Sequence, residues 1–275
     1  GAPRAVASDA SGNFVVTWSS RNQDGSGWGV FAQRFNGAGV AQGGEFRVYT
    51  TAADNHVDAS VAMDDDGNFV IVWASIDDGD NSGVFAQRFN AAGIAQGNEI
   101  HVNTYTEKEQ IGPSVAMDSD GNFVIAWSSE DQDGDNWGVY AKRFNANGVV
   151  QGGEFRVNTS TNKEQTASSV AMDADGDFVV TWSSKDQDGD NWGIYGKRYD
   201  ASGLVQGSEF RVNTVTTRDQ VFSSVAADAD GNFVVTWSSK DQDGDNWGVY
   251  AQRYDAGGIA QGAAFQVNQT TAKEQ

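Results

Sequence analysis

The 275 residues include no cysteine, 2 prolines and 2 histidines, and each shortage removes a class of function. Without cysteine there are no disulfides, thiolate metal sites or cysteine nucleophiles. His56 and His101 stand at unrelated points, neither within a Ser/His/Asp or metal-ligand pattern, and there is no Gly-x-Ser-x-Gly elbow or P-loop. Basic residues are scarce too: 18 against 38 acidic ones give a formal charge of −20. Such a surface repels phosphate backbones and anionic membranes, which argues against nucleic acid as a partner. No apolar run approaches the roughly 20 residues of a spanning helix, so no membrane insertion is expected. No basic segment followed by an apolar one stands at Gly1, so a signal peptide is expected to be absent or already removed.

What remains is β-rich and turn-rich: 33 glycines, 15 phenylalanines, 9 tryptophans and many valines, with 39% hydrophobic residues, enough for a core. Many carboxylates sit in short Asp/Gly/Asn loops, which points to divalent cations as their counter-charge. The lack of cysteine is compatible with a bacterial extracellular protein stabilised by calcium.

The chain is built from repeats. A segment Gly-Asn/Asp-Phe-Val-(Val/Ile)-x-Trp ends at Trp18, Trp73, Trp127, Trp182 and Trp237, in steps of 55, 54, 55 and 55 residues. Five units follow, about 1–55, 56–109, 110–164, 165–219 and 220–274, read as one domain over 1–275. In the fourth, Ser169-Val170-Ala171-Met172 reads as a strand of small and medium residues, and Phe178 to Trp182 as a strand apolar on both faces. Trp192 to Tyr199 is a third, and Glu209 to Thr214 alternates as a half-exposed fourth. Small first, apolar next and alternating last is the order needed by a propeller blade, whose inner strand crowds the axis and whose outer strand meets solvent. The expected fold is an all-β, five-bladed β-propeller of four-stranded antiparallel blades. The alternative is part of a longer repeat array or a larger ring.

The run Asp-x-Asp-Gly-Asn-Phe-Val-Val-x-Trp, then Asp-Gly-Asp-x-Trp-Gly-Val-Tyr-Ala-x-Arg, then Glu-Phe-Arg-Val-Asn-Thr resembles tandem repeats of large bacterial secreted and cell-surface proteins. Such proteins often carry cadherin-like or haemolysin-type calcium-binding regions as well. The Asp-x-Asp-Gly turn is similar to the Asp-box and FG-GAP type loops of other propellers. The resemblance covers all five units and implies no single activity.

Between the second and third strands lies an acidic loop with three carboxylates at alternate positions and a glycine, the hard-oxygen spacing that calcium loops use. The calcium candidates are Asp131, Asp133 and Asp135; Asp186, Asp188 and Asp190; Asp241, Asp243 and Asp245; and, in a degenerate copy, Asp77, Asp78 and Asp80. The competing reading is a solvated hairpin loop. Trp28, Trp137, Trp192 and Trp247 abut these loops and, with Asn136, Asn191 and Asn246, are candidates for stacking on and bonding to a sugar. The other reading has these rings cover the blade edge. Asp9, Asp64, Asp118, Asp173 and Asp228 end the innermost strands, where turn chemistry accounts for them; a closed ring would gather them at one mouth of the axial channel. Arg34, Arg88, Arg143, Arg198 and Arg253 are expected to pair with carboxylates.

Because almost every carboxylate recurs in several units, multivalent binding is expected rather than a single reaction centre. The sequence therefore reads as a non-catalytic, calcium-stabilised extracellular module for adhesion or multivalent binding, with carbohydrate as leading ligand. Two alternatives stand beside it. One is an architectural, self-associating surface or filament component. The other is a glycosidase-like propeller enzyme, recognisable by a carboxylate near the axis without repeat equivalents and with a shifted pKa.

Overall fold

A computed structural model describes residues 4–25, 27–50, 55–78, 81–242, 244 and 246–270. Among the described residues twenty strands form five four-stranded antiparallel sheets, each following chain order. The first holds β1 (Arg4–Ser8), β2 (Phe14–Arg21), β3 (Trp28–Phe35) and β4 (Phe46–Arg47). The second holds β5 (His56–Met63), β6 (Phe69–Asp78), β7 (Asn81–Phe89) and β8 (Ile100–His101). β9 (Gln110–Met117), β10 (Phe123–Glu130), β11 (Trp137–Phe144) and β12 (Phe155–Arg156) make the third. β13 (Gln165–Met172), β14 (Phe178–Lys185), β15 (Trp192–Tyr199) and β16 (Phe210–Arg211) make the fourth, and β17 (Gln220–Ala227), β18 (Phe233–Lys240), β19 (Trp247–Tyr254) and β20 (Phe265–Gln266) the fifth. These are the blades of a five-bladed β-propeller, as the repeat predicts. Among the described residues no helix is long and apolar enough to cross a membrane.

The chain divides into two compact units, Gly1–Ser129 with Ala141–Phe155, and Glu130–Tyr140 with Arg156–Gln275. In the first unit the core joins blades one and two: Val15, Val30 and Ala32 pack against Val61, Phe69, Ile71 and Trp73. The second repeats the arrangement between blades four and five, with Ala171, Val179 and Ile194 against Val225, Phe233, Val235 and Trp237. Within each unit the earlier of these two blades thus packs face to face on the later one. β10 and β14 are buried along nearly their whole length, which explains their continuous apolar runs. Trp73, Trp127, Trp182 and Trp237 are at most 2% exposed, while Trp18 is half-buried.

Two boundaries differ from the sequence reading. The inner strand of the fourth blade starts at Gln165 rather than Ser169, because a bulge re-registers it: Thr166 pairs with Ser183 and Ser169 with Thr181, so Ala167 and Ser168 together oppose Trp182. Equivalent bulges carry a residue at positive φ: Asp58 (55°), Gly112 (59°), Ala167 (55°) and Phe222 (56°). The outer strand is cut to two residues because an asparagine side chain takes over the ladder. Asn213 Oδ1 accepts the Ile194 N–H at 2.7 Å, directly beside the bond from the Val212 N–H to the Ile194 carbonyl.

Candidate functional site

The acidic loops are shaped by backbone demands. Asp131, Asp186 and Asp241 have φ of 57°, 58° and 56°, and Asn136, Asn191 and Asn246 have φ of 53°, 49° and 55°. This left-handed region is where Asp and Asn, after glycine, are most at ease. Their carboxylates reach separate protein partners. Asp133 Oδ2 accepts from Asn158 Nδ2 at 3.2 Å and Asp188 Oδ2 from Asn213 Nδ2 at 3.1 Å. Asp135 takes the Asn136 Nδ2 and the Lys163 N–H, Asp190 takes the Arg218 N–H, and Asp241 pairs with Arg218 at 3.7 Å. Among the described residues no three acidic or histidine side chains converge as a metal would require. Asp77 and Asp78 close β6; Asp80, Asp243 and Asp245 lie outside the described residues.

The loop tryptophans flank the same segments. Trp28 is 36% exposed, and Trp137, Trp192 and Trp247 are half-buried. Lys185 Nζ stands 5.7 Å from the Trp192 ring centre and Lys240 Nζ 5.9 Å from that of Trp247, cation–π contacts that occupy one face of each indole.

Arginine pairing differs from expectation. Arg34, Arg88 and Arg198 donate to backbone carbonyls in the turn after the third strand of the next blade: Ala92, Asn147, and both Ala256 and Gly257. A planar fork fits these paired carbonyls.

The first-hairpin turns reveal an asymmetry. In blades one, two, three and five an aspartate accepts on Oδ1 the N–H of the asparagine four residues on, and on Oδ2 that asparagine's Nδ2. The side-chain bonds are Asn13 to Asp9 at 2.7 Å, Asn68 to Asp64 and Asn122 to Asp118 at 2.8 Å, and Asn232 to Asp228 at 2.9 Å. The Asn232 side chain holds Asp228 below its ordinary pKa. Slight desolvation pushes Asp9 upward, but the Asn13 side chain and the Asn13, Ser11 and Gly12 N–H groups outweigh it and hold it low.

Blade four puts Asp177 where the others have asparagine. Its Oδ1 accepts the Ala201 N–H at 2.9 Å, the acceptor part that Asn13 and Asn122 play toward Gly37 and Ala146. The donor half is gone. Asp173 Oδ1 still takes the Asp175 and Asp177 N–H groups at 3.0 and 2.9 Å. Burial, and then the neighbouring charges of Asp177 and Asp175, push Asp173 above its ordinary pKa despite those bonds. The pair faces a cavity of about 170 Å³ between blades four and five, where Asp230, Gly231, Arg198 and Tyr199 also stand. A half-buried carboxyl raised above its ordinary pKa beside an exposed one is the kind of division that acid–base chemistry uses. A second carboxylate without repeat equivalents, Asp58, lies in the bulge of β5; desolvation raises its pKa against a bond from the Gly112 N–H.

Comparison of the sequence with models of known protein families gives no match, and comparison with curated proteins gives none. The fold, in contrast, has many solved neighbours. An endo-arabinase from Bacteroides thetaiotaomicron is similar over 99% of this chain and 95% of its own, with a TM-score of 0.53 and 12% identity. A Penicillium chrysogenum α-L-arabinanase complexed with arabinobiose is similar over 82% and 67%, with a TM-score of 0.55 and 14% identity. A Dyadobacter fermentans protein of unknown function is similar over 98% and 83%, with a TM-score of 0.65 and 11% identity.

The glycosidase neighbours correct two expectations, that of a non-catalytic adhesion module and that of no enzymatic activity: the fold is one on which sugar-cleaving enzymes are built. The expectation of equivalent sites treats all five turns as alike. Asparagine and aspartate have nearly the same shape, so Asp177 looks like one more turn residue until its missing donor is noticed. In the sequence, the signal was Asp-Ala-Asp-Gly-Asp at 173–177 against Asp-x-x-Gly-Asn in the other four repeats.

Proposed function

We propose that this chain is a carbohydrate-active, glycosidase-type propeller, secreted or displayed outside the cell, with α-linked arabinose polymers as the first substrates to test. The reading rests on the Asp173–Asp177 pair: two carboxylates in one cleft, Asp173 half-buried and raised above its ordinary pKa by burial and neighbouring charge, Asp177 exposed. Glycoside cleavage needs such a pair, an acid to protonate the leaving oxygen and a carboxylate to assist water or attack the anomeric carbon. Asp173 takes the first role and Asp177 the second. The arabinanase and endo-arabinase likenesses support sugar as the substrate class.

The test is reducing-sugar release from arabinan and debranched arabinan by the wild-type chain and by Asp173→Asn. Release that falls by about 10²-fold or more in the variant supports the assignment, in line with the general-acid contribution typical of enzymes. Release by the wild type that Asp173→Asn leaves intact moves the chemistry elsewhere; no release from any glycan removes the reading.

A further inference from the structure

The sequence holds two Asn-Gly steps, Asn36-Gly37 and Asn147-Gly148, both in the turn after the third strand of a blade. In such a step the glycine nitrogen can attack the asparagine side chain, since no Cβ on the glycine shields that nitrogen or restricts its approach. The two steps occupy different positions in the same kind of turn, and this separates their chemistry.

Asn36 opens its turn and is half-buried. Its Oδ1 accepts the Ala38 and Val40 N–H groups at 3.0 and 2.9 Å, and the Gly37 N–H donates to Asn13 Oδ1 at 3.2 Å. Electrophile and nucleophile are thus each engaged by another partner. In the third blade the opening role belongs to Asn145, whose Oδ1 accepts the Asn147 and Val149 N–H groups at 3.0 and 2.9 Å. Asn147 comes two residues later, at the exposed tip, where its side chain has no partner among the described residues. Its repeat equivalents Ala38 and Ala92 are likewise exposed, so exposure belongs to the turn itself. Among the described residues one bond restrains the nucleophile, from the Gly148 N–H to the Asn145 carbonyl at 2.8 Å.

We propose that Asn147 is a site of spontaneous deamidation. A solvent base removes the Gly148 N–H proton, the nitrogen bonds to Asn147 Cγ, and the Cγ–Nδ2 bond breaks, releasing ammonia and leaving a cyclic succinimide. Water then adds to one of the two ring carbonyls and breaks that carbon's bond to the nitrogen. Opening at the former side-chain carbon gives aspartate; opening at the Asn147 backbone carbonyl gives isoaspartate, with an extra carbon in the main chain. A water is consumed and an ammonia released, with no change of oxidation state.

The consequence falls on a blade junction. Arg88 Nη1 donates to the Asn147 carbonyl at 2.8 Å. The turn packs so closely against this arginine that a Cβ on Gly148 would come within 3.0 Å of Arg88 Cδ and 3.1 Å of Ile100 Cδ1. Isoaspartate turns the gripped carbonyl into a carboxylate and lengthens the main chain where there is no spare room, so the fastening between the second and third blades loosens with age.

Peptide mapping by mass spectrometry of the full chain, incubated in neutral and in mildly alkaline buffer, tests this. Conversion of amide to acid is expected at Asn147, faster in the alkaline buffer, with both aspartate and isoaspartate as products. It is expected to run about tenfold or more ahead of conversion at Asn36, which must first release two hydrogen bonds. The melting temperature of the aged wild type is expected to fall, and that of Asn147→Ala, which carries the residue type of positions 38 and 92, to stay constant over the same incubation. No conversion at Asn147, or equal conversion at Asn36, overturns the assignment of the site. Isoaspartate formed without a fall in melting temperature overturns its effect on the fastening.

Discussion

Asp177 lies four residues after Asp173, at the position from which the asparagine side chain donates to the aspartate in each of the other four hairpin turns, and it accepts the Ala201 N–H but lacks the side-chain amide that would donate to Asp173. The turn retains its shape and loses one bond. Asparagine would serve the fold better here, so the aspartate points to a role other than folding.

The pH dependence of stability carries the same signature. Asp173 is raised above its ordinary value of 3.8, so the folded chain binds the extra proton between that value and the raised one, and stability falls as pH rises through this window. Asp9 and Asp228 are lowered and act oppositely: their contribution is present above the ordinary value and is lost as pH falls through the lowered one. The melting-temperature difference between Asp177→Asn and wild type is therefore expected to grow on going from about pH 3 to about pH 7, and a flat difference contradicts the coupling.

Asn213 is 2% exposed and binds at four points: Oδ1 accepts the Ile194 N–H, and Nδ2 donates to Val215 O, Gln220 Oε1 and Asp188 Oδ2. Asn213→Ala strands a buried N–H and a buried glutamine oxygen together. A loss of about 3 kcal/mol is expected, from two orphaned groups at 1–3 kcal/mol each, measured by urea unfolding. A loss below about 1 kcal/mol would show that water replaces the side chain.

Phe222 holds φ at 56° with its ring 72% exposed. The left-handed conformation costs a non-glycine residue roughly 1–2 kcal/mol, and glycine gives back about half to one of these in unfolded-chain entropy. Phe222→Gly is thus expected to raise the melting temperature slightly, by calorimetry; a fall would mean that the ring packs usefully.

Calcium remains a proposal, and its first ligand atoms would be Asp133 Oδ1 and Asp188 Oδ1, buried without a hydrogen-bond donor in two equivalent loops. Calcium added to chelated protein is expected to raise the melting temperature through native-state binding, and the double variant Asp133→Asn, Asp188→Asn to abolish the rise. No calcium-dependent change in the wild type removes calcium from the account.

How far the sequence carried differs between fold and site. The 55-residue period and the apolar runs of the second strands state the blade architecture outright, because a strand covered on both faces has no polar side to show. The bulges were not legible, since Asp58, Gly112, Ala167 and Phe222 share a backbone conformation and no side-chain chemistry. The short outer strands were missed because Asn213 and its equivalents imitate a backbone carbonyl, which composition does not distinguish from a strand residue. The acidic loops drew attention by charge, yet their Asp and Asn residues first satisfy turn geometry. Asp177 was visible as a letter, and its meaning came only with the bond it lacks.

The most direct measurement is a pair of readings on one variant, Asp177→Asn: thermal stability and arabinan hydrolysis. Restoring the asparagine donor is expected to stabilise the turn by about 0.5–1 kcal/mol, the worth of one partly exposed hydrogen bond, while hydrolysis falls by about 10²-fold or more with the loss of the second carboxyl group. A variant that gains stability and retains full hydrolysis contradicts the account, for the aspartate would then serve neither the fold nor the reaction.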